Sequence, residues 1–390
     1  MRVIVAGAGL GGLTLAQGLR RSGIDVTVYE RDAARGRPQG ITLHLDERGQ
    51  DALRACLPSE HLMMVKATMG GQREQALRLS VDDDQLTVSG SVPLDGAAGR
   101  TRAGRQVSRP LLRAVLLDGL EDAVRFEAEL TRFEQQPDGT VKAWFSDGST
   151  DVADVLVGAD GVGSTVRAQY LPEVKVVDTG KRMLMGATPL RNMADNGLAE
   201  MVGDSPASLQ ADGKMVMAIG VLRFGESPIS ARGQLLPSLR ADSVEEAEDF
   251  AMWAMPTAME NLPQKPSPAD VWQVAQGLVA DKPAILRRLI DGAWPEVTVP
   301  LRIAAIPPMP AWAPTAVTVI GDAIHVAPGF GGNLAMQDAH RLLDALLESV
   351  DGSRSLPAAI GTYEDAMRRD NFAVGSDGAG KTVVAAGGEK

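Results

Sequence analysis

Short apolar runs alternate with amphipathic stretches along the first part of the chain. Residues 2–6 (RVIVA) are mostly apolar and stop at Gly7, Leu13–Arg21 has helical spacing ending at Gly23, and Asp25–Glu30 reads as a second strand. Strand, glycine turn, helix, strand is the opening of a doubly wound α/β fold. Asp46 is placed to cap a helix over Glu47–Leu57, and Pro110 to start one that carries Leu111–Leu120.

From Val124 the period shortens. RFEAELTRFEQ and VKAWFSDG, joined by the turn PDG, predict a β-meander, and VADVLVGAD returns to the parallel sheet. Alternation in KRMLMGATPL and KMVMAIGVLRF, within residues 181–224, predicts a second, largely antiparallel sheet. DVWQVAQGLVADKPAILRRLI reads as helix broken near Asp281–Pro283, followed by the strand VTVPLRI. AVTVIG is the last strand, with helices over Asn333–Ser349 and Ala358–Phe372 after it.

At 390 residues the chain is long enough for two domains. A net charge of -11 with no run of like charge argues against a nucleic-acid partner or an anionic membrane surface. The single cysteine, Cys56, excludes an internal disulfide and a redox cysteine pair, and reads as a small buried helix residue. Met1 leads straight into a strand, and no apolar stretch is long enough to span a bilayer, so the expectation is a cytoplasmic protein.

Three glycine and acidic motifs carry the chemistry: VIVAGAGLGGLTLA, VLVGADGVGSTVR and VTVIGDAIHVAPGFGGNLAMQDA. In the first, Gly7 allows a tight turn, Gly9 lets the backbone approach a pyrophosphate, and Gly12 lets helix pack on strand. The helix N-terminus then meets phosphate with free amides. Glu30, at the end of the second strand, is the right distance on to accept the hydroxyls of an adenosine ribose. Alone, this motif suits an NAD-dependent short-chain dehydrogenase too, but none of Tyr29, Tyr170 and Tyr363 has the lysine four residues later that such an enzyme needs. In the third motif Asp322 follows an apolar strand, where a short carboxylate can hold a polyol such as the ribityl chain of FAD. The glycine-rich stretch Pro328–Asn333 then opens a helix whose amides would face the pyrimidine end of a flavin. Together the motifs outline FAD.

The fold class expected is therefore α/β: a doubly wound, Rossmann-like FAD-binding domain with an inserted substrate domain of largely antiparallel sheet plus helices. Residues 1–70, 100–176 and 300–375 form the first, 71–99 and 177–299 the second, and 376–390 a flexible tail. In the second domain Met183 with Met185, and Met215 with Met217, fall on one face of their strands, an adaptable lining for a bulky apolar substrate or ordinary sheet core. Trp253 and Trp272 would add flat surfaces.

On these motifs the chain resembles the FAD-dependent aromatic monooxygenases of the para-hydroxybenzoate hydroxylase type, to which tetracycline-modifying monooxygenases belong. The resemblance covers nearly the whole chain, its specific motifs lying in the first domain. It implies that NADH or NADPH reduces FAD and that oxygen is inserted into an aromatic or polyketide-like molecule, with no protein nucleophile and no metal. It also implies FAD contacts for Asp160 and Gly161, with Ser164 and Arg167 in family positions, although Asp160 and Arg167 can equally pair to fix a turn. Arg109 in QVSRPLLRAVLL matches the family arginine beside the flavin, Arg31 lies near the adenosine, and Gln39 and Gly40 near the flavin. Gly331, Gly332 and Asn333 complete the cofactor set with Pro328. PGFGGN is a couple of residues short of the family pattern, which favours as the alternative a flavin-dependent reductase or dehydrogenase without oxygen insertion; a flavin-binding protein without turnover is the third reading. His325 reads as a hydrogen-bonded residue at a strand end, and His44, His61 and His340 lack metal-ligand spacing.

Overall fold

The computed structural model describes all residues except 35–39, 83–84, 97–100, 194–196, 212, 327–330 and 379–390, with backbone alone for 371–378. Its strands, β1–β18, and helices, α1–α11, are numbered in chain order. A parallel sheet runs in the order β18 (Val317–Val319), β12 (Val155–Gly158), β1 (Arg2–Ala6), β2 (Asp25–Tyr29) and β8 (Val124–Arg125). Its central strands are apolar on both faces because helices and the β-meander pack into one core around them: Val3, Ile4, Val5 and Val155, Leu156, Val157 are all 0% exposed.

The helices α1 (Leu10–Arg21), α2 (Glu47–Cys56), α4 (Arg109–Leu117), α10 (Gly331–Val350) and α11 (Leu356–Gly378) surround this core. Three helix starts have a local cause. Asp46 accepts from the Arg48 amide at 3.0 Å to cap α2, Ser108 accepts from the Leu111 amide at 3.3 Å to cap α4, and Ser164 accepts from the Arg167 amide at 2.9 Å to cap α5 (Thr165–Tyr170). Cys56 is buried at the end of α2, and burial pushes its thiol up to about 12. The α11 backbone continues to Gly378, past the expected end at Phe372.

The meander is β9 (Leu130–Gln135), β10 (Val141–Phe145) and β11 (Thr150–Ala153). A small sheet joins β3 (Thr42–Asp46), β7 (Gly104–Ser108) and β4 (Gln72–Arg73). The second large sheet has seven strands in the order β17 (Val299–Ala305), β13 (Val177–Pro189), β16 (Phe250–Thr257), β15 (Lys214–Leu222), β14 (Ala207–Ala211), β5 (Gln75–Asp82) and β6 (Gln85–Pro93). Every pairing in it is antiparallel except β14 with β5. The helices α8 (Pro268–Val279) and α9 (Ala284–Asp291), separated at the expected break, pack on one face of it to form a second core. Its other face looks toward the parallel sheet. Among the described residues no helix is long and apolar enough to cross a membrane.

Candidate functional site

The carboxyl ends of β1, β2, β12 and β18 open onto a cavity of about 2540 Å³ whose far wall is the free face of the seven-stranded sheet. Ligands of doubly wound sheets bind in that position. A pocket for one drug-sized molecule holds roughly 300–1,000 Å³, so this cavity has room for an extended cofactor and a second molecule together.

The three motifs converge on its edge. Gly7 has φ +111°, and a Cβ there would lie 2.3 Å from the Ala159 carbonyl oxygen of the second motif. A Cβ on Gly12 would lie 2.1 Å from the Gly7 carbonyl oxygen, so only glycine lets α1 sit this close to β1. Gly9, by contrast, faces open space. The loop is held from two sides: Glu30 accepts from the Ala8 amide at 2.7 Å, and Arg113 Nε donates to the Ala8 carbonyl at 3.2 Å. Glu30 also accepts from the Asp32 amide at 2.9 Å, which leaves its carboxylate spare acceptor capacity.

Arg167 joins the second motif to the third. It donates to the Ala323 carbonyl at 2.7 Å and to the Val162 carbonyl at 2.9 Å, while Asp160 accepts from the Thr165 and Val166 amides at 2.7 and 3.2 Å. The two side chains thus fix separate parts of the turn instead of pairing with each other. Asp160 Oδ1 is buried without a partner. Desolvation raises the carboxyl pKa, opposed by these hydrogen bonds.

Asp322 faces the cavity just past β18, and Gly331 lies so close that a Cβ would sit 2.7 Å from its carboxylate. Enclosure by protein raises its pKa, with His325 and Arg109 pulling the other way. Arg109, at the first turn of α4, has its pKa lowered by burial against the attraction of Asp322. Behind Asp322, buried His325 hydrogen-bonds Asp338 through Nε2, as its position at a strand end suggested. Burial disfavours its charged form, but Asp338 and Asp322 outweigh that and raise its pKa.

Of the residues singled out from the sequence, Gly7, Gly9, Gly12, Glu30, Arg31, Gly40, Arg109, Asp160, Gly161, Asp322, Gly331 and Gly332 line the cavity. Gln39 and Pro328 lie outside the described residues, as does most of the loop whose length departs from the family pattern. Asn333 is a correction. Its side chain is 0% exposed and turned into the protein, donating to the His44 carbonyl at 2.7 Å and accepting from the Asp46 amide at 3.0 Å.

The methionines divide. Met183, Met185 and Met215 line the cavity, but Met217 is wholly buried in the second core. A bulge explains this: Leu209 pairs with Met217 and Gln210 with Met215, so Val216 is an extra residue and the two methionines leave a common face. Trp253 and Trp272 are also corrections. Trp253 lies over Gly186 in the second core with Nε1 donating to Thr188 Oγ1 at 3.2 Å, and Trp272 packs on that core with Nε1 donating to the Ile290 carbonyl at 2.8 Å. Trp294 and Met252 line the cavity instead. Arg113, four residues after Arg109 and so on the same helix face, was within reach of a sequence reading and is part of the wall.

Comparison with known proteins agrees with this geometry. The profile of the family described as FAD binding domain matches residues 1–279 and 311–376. The FAD-dependent urate hydroxylase of Klebsiella pneumoniae subsp. pneumoniae is 30% identical over 386 residues, covering 93% of this chain and 85% of that protein. The dual O-methyltransferase/FAD-dependent monooxygenase CTB3 of Cercospora beticola is 28% identical over 403 residues, covering 94% of this chain but only 44% of that protein. The chain thus spans less than half the length of that relative. A crystal structure from Photorhabdus luminescens subsp. laumondii, described provisionally as an FAD-containing monooxygenase, superposes with a TM-score of 0.77 at 27% identity and 99% coverage of both chains.

Proposed function

The chain belongs to the FAD binding domain family, and from that premise we propose that it is an FAD-dependent monooxygenase that uses NADH or NADPH and dioxygen to hydroxylate an aromatic or polyketide-like small molecule. The observation that carries the reading is the meeting of three distant motifs on one cavity large enough for cofactor and substrate. The relatives described as an FAD-dependent monooxygenase and an FAD-dependent urate hydroxylase support it.

In this reading residues 1–70, 100–176 and 306–375 hold FAD and residues 71–99 and 177–305 select the substrate, the expected boundary at 300 moving because β17 belongs to the seven-stranded sheet. The residues present fit the cofactor: Gly9 leaves room, Asp322 offers a carboxylate to the cavity, and Asp160 Oδ1 awaits a donor. FAD, when bound, supplies the two-electron chemistry that takes a hydride from the nicotinamide and activates dioxygen. The amides at the start of α1, beyond Gly7 and Ala8 whose own amides donate to the Tyr29 carbonyl and to Glu30, take the pyrophosphate, whose charge the helix N-terminus favours. Glu30 accepts from ribose hydroxyls with the capacity its amide bonds leave free, and Asp322 accepts from the ribityl chain. Arg109 and Arg113 supply fixed positive charge beside that path. The apolar wall of Met183, Met185, Met252 and Trp294 excludes water and receives the flat substrate.

The test is turnover of the FAD-loaded protein with NADH or NADPH, isotopically labelled dioxygen and a panel of aromatic and polyketide compounds. A product carrying one labelled oxygen is expected. Nicotinamide oxidation with no labelled product from any compound would replace the monooxygenase by a reductase.

A further inference from the structure

We propose that Arg73 and Arg78 form an anion-binding subsite on the sheet wall of the cavity, so that the substrate carries an ionised oxygen acid on its flat apolar body. The inference rests on the reading of this cavity as the substrate site and narrows the substrate class.

Both arginines come to one face of the seven-stranded sheet. A Cβ on Gly220 of β15 would lie 2.8 Å from Arg73 Nη2, which places the Arg73 guanidinium over that glycine. In register across the sheet, Arg78 of β5 pairs with Ser208 of β14, and Ser208 with Ala218, two residues from Gly220. Leu79 and Leu209, the neighbours along these strands, point the opposite way into the second core. Arg73, Arg78, Ser208, Ala218 and Gly220 all line the cavity.

The charge on Arg73 is poorly compensated by the protein. The residue is 4% exposed, and its hydrogen bonds go to neutral acceptors: the Asp204 carbonyl at 2.5 Å, Gln106 Oε1, and His44 Nδ1 at 3.5 Å. His44 is neutral on geometric grounds too, because Nε2 faces the Arg102 carbonyl at 2.8 Å and must donate, leaving Nδ1 to accept. Burial holds the His44 pKa down, and it lowers the Arg73 pKa to about 10 against the attraction of Asp204. Arg78 Nε is buried with no hydrogen-bond partner.

A buried guanidinium whose hydrogen bonds all go to neutral acceptors, and whose charge Asp204 offsets only in part, is costly, and an arriving anion recovers that cost. The planar fork of arginine fits a carboxylate or an ionised phenol or enol through charge-assisted hydrogen bonds. Gln106, which holds Arg73 through Oε1, acts as a positioning residue.

The experiment is calorimetric titration of the FAD-loaded protein with 2-naphthoate and with its neutral isostere 2-naphthamide, in wild type, Arg73→Gln and Arg78→Gln. Naphthoate is expected to bind at least about tenfold more tightly than the amide in wild type, and each substitution is expected to remove most of that preference. FAD affinity, read separately, should be unchanged. Equal affinity for acid and amide in wild type overturns the proposal, and so does a preference that survives in both variants. Because Arg78 is only partly buried, its variant carries the test if Arg73→Gln does not fold. A third ligand, 2-naphthol, titrated below and above its ionisation, tells the two sources apart: tightening on ionisation extends the class to phenolates, and no binding confines it to carboxylates. No turnover is needed, so a preference for acid without oxygen insertion would leave the subsite standing and remove the monooxygenase. Oxygen insertion with no acid preference would do the reverse.

Discussion

Arg167 Nη1 donates to the carbonyl of Ala323 at 2.7 Å, and that side chain fastens the turn of the second glycine motif to the third beyond the pairing of their strands. Its other bond, to the Val162 carbonyl, closes the turn from which it starts. Replacing it by methionine leaves two carbonyls of partly buried loops without their donor, at about 1–3 kcal/mol each. Arg167→Met should therefore lower the urea midpoint of the apoprotein and weaken FAD binding together. Unchanged stability with weakened FAD binding would mean that Arg167 contacts the cofactor itself.

Gly9 and Gly12 separate the two uses of glycine in one motif. At Gly12 an added methyl meets a backbone carbonyl 2.1 Å away, so Gly12→Ala should destabilise the fold by about 1–3 kcal/mol or more. At Gly9 the added methyl meets nothing, so Gly9→Ala should leave stability within about 0.5 kcal/mol of wild type. It should nevertheless lower FAD affinity, because the methyl enters the space the pyrophosphate needs. Thermal melts with and without FAD distinguish the two.

Met217 and Met185 make a second contrasting pair. Met217 is 0% exposed in the second core, and truncation to alanine should cost about 2–5 kcal/mol. Met185→Ala trims the cavity wall, so the expected change is in the KM for substrate, with a smaller loss of stability. A stable Met217→Ala with altered substrate preference would show the strand bulge to be misplaced.

Glu364 gives the apoprotein a pH signature. It is 1% exposed and accepts from Thr318 Oγ1 at 2.9 Å, and burial raises its carboxyl from the usual 4.5 to about 7. The unfolded chain thus loses this proton near 4.5 while the folded chain keeps it until about 7, so between those values the folded state binds more protons and stability falls as pH rises. The contribution is complete at low pH and lost by neutral pH, amounting to at most about 3 kcal/mol. Glu364→Gln should flatten this part of the stability profile measured by urea unfolding from pH 4.5 to 7.5. An unaltered slope would assign the dependence to other groups.

Where sequence and structure agree, the signal is local. GAGLGG with its flanking strands, Asp46 before α2, and the break at Asp281–Pro283 are each decided by a few neighbouring residues. The misses depend on residues far apart in the chain. Met215 and Met217 stand two apart in KMVMAIG, the spacing of one strand face, so nothing in it announces the bulge at Val216 that sends Met217 to the opposite face from Met215. Asn333 reads as part of a glycine-rich turn, yet its amide is taken by β3, nearly three hundred residues earlier. Arg73 and Gly220 come together only because β4 and β15 meet at the cavity. Trp253 is drawn into the second core by the space over Gly186, a partner in another strand.

The central claim is that the three motifs hold one FAD along the edge of the cavity, and a structure of the FAD complex tests it most directly. The account predicts the pyrophosphate against the backbone at Gly9 and a ribityl hydroxyl within hydrogen-bonding distance of the Asp322 carboxylate. A bound FAD whose ribityl chain lies away from Asp322, or whose pyrophosphate does not reach the start of α1, would contradict it.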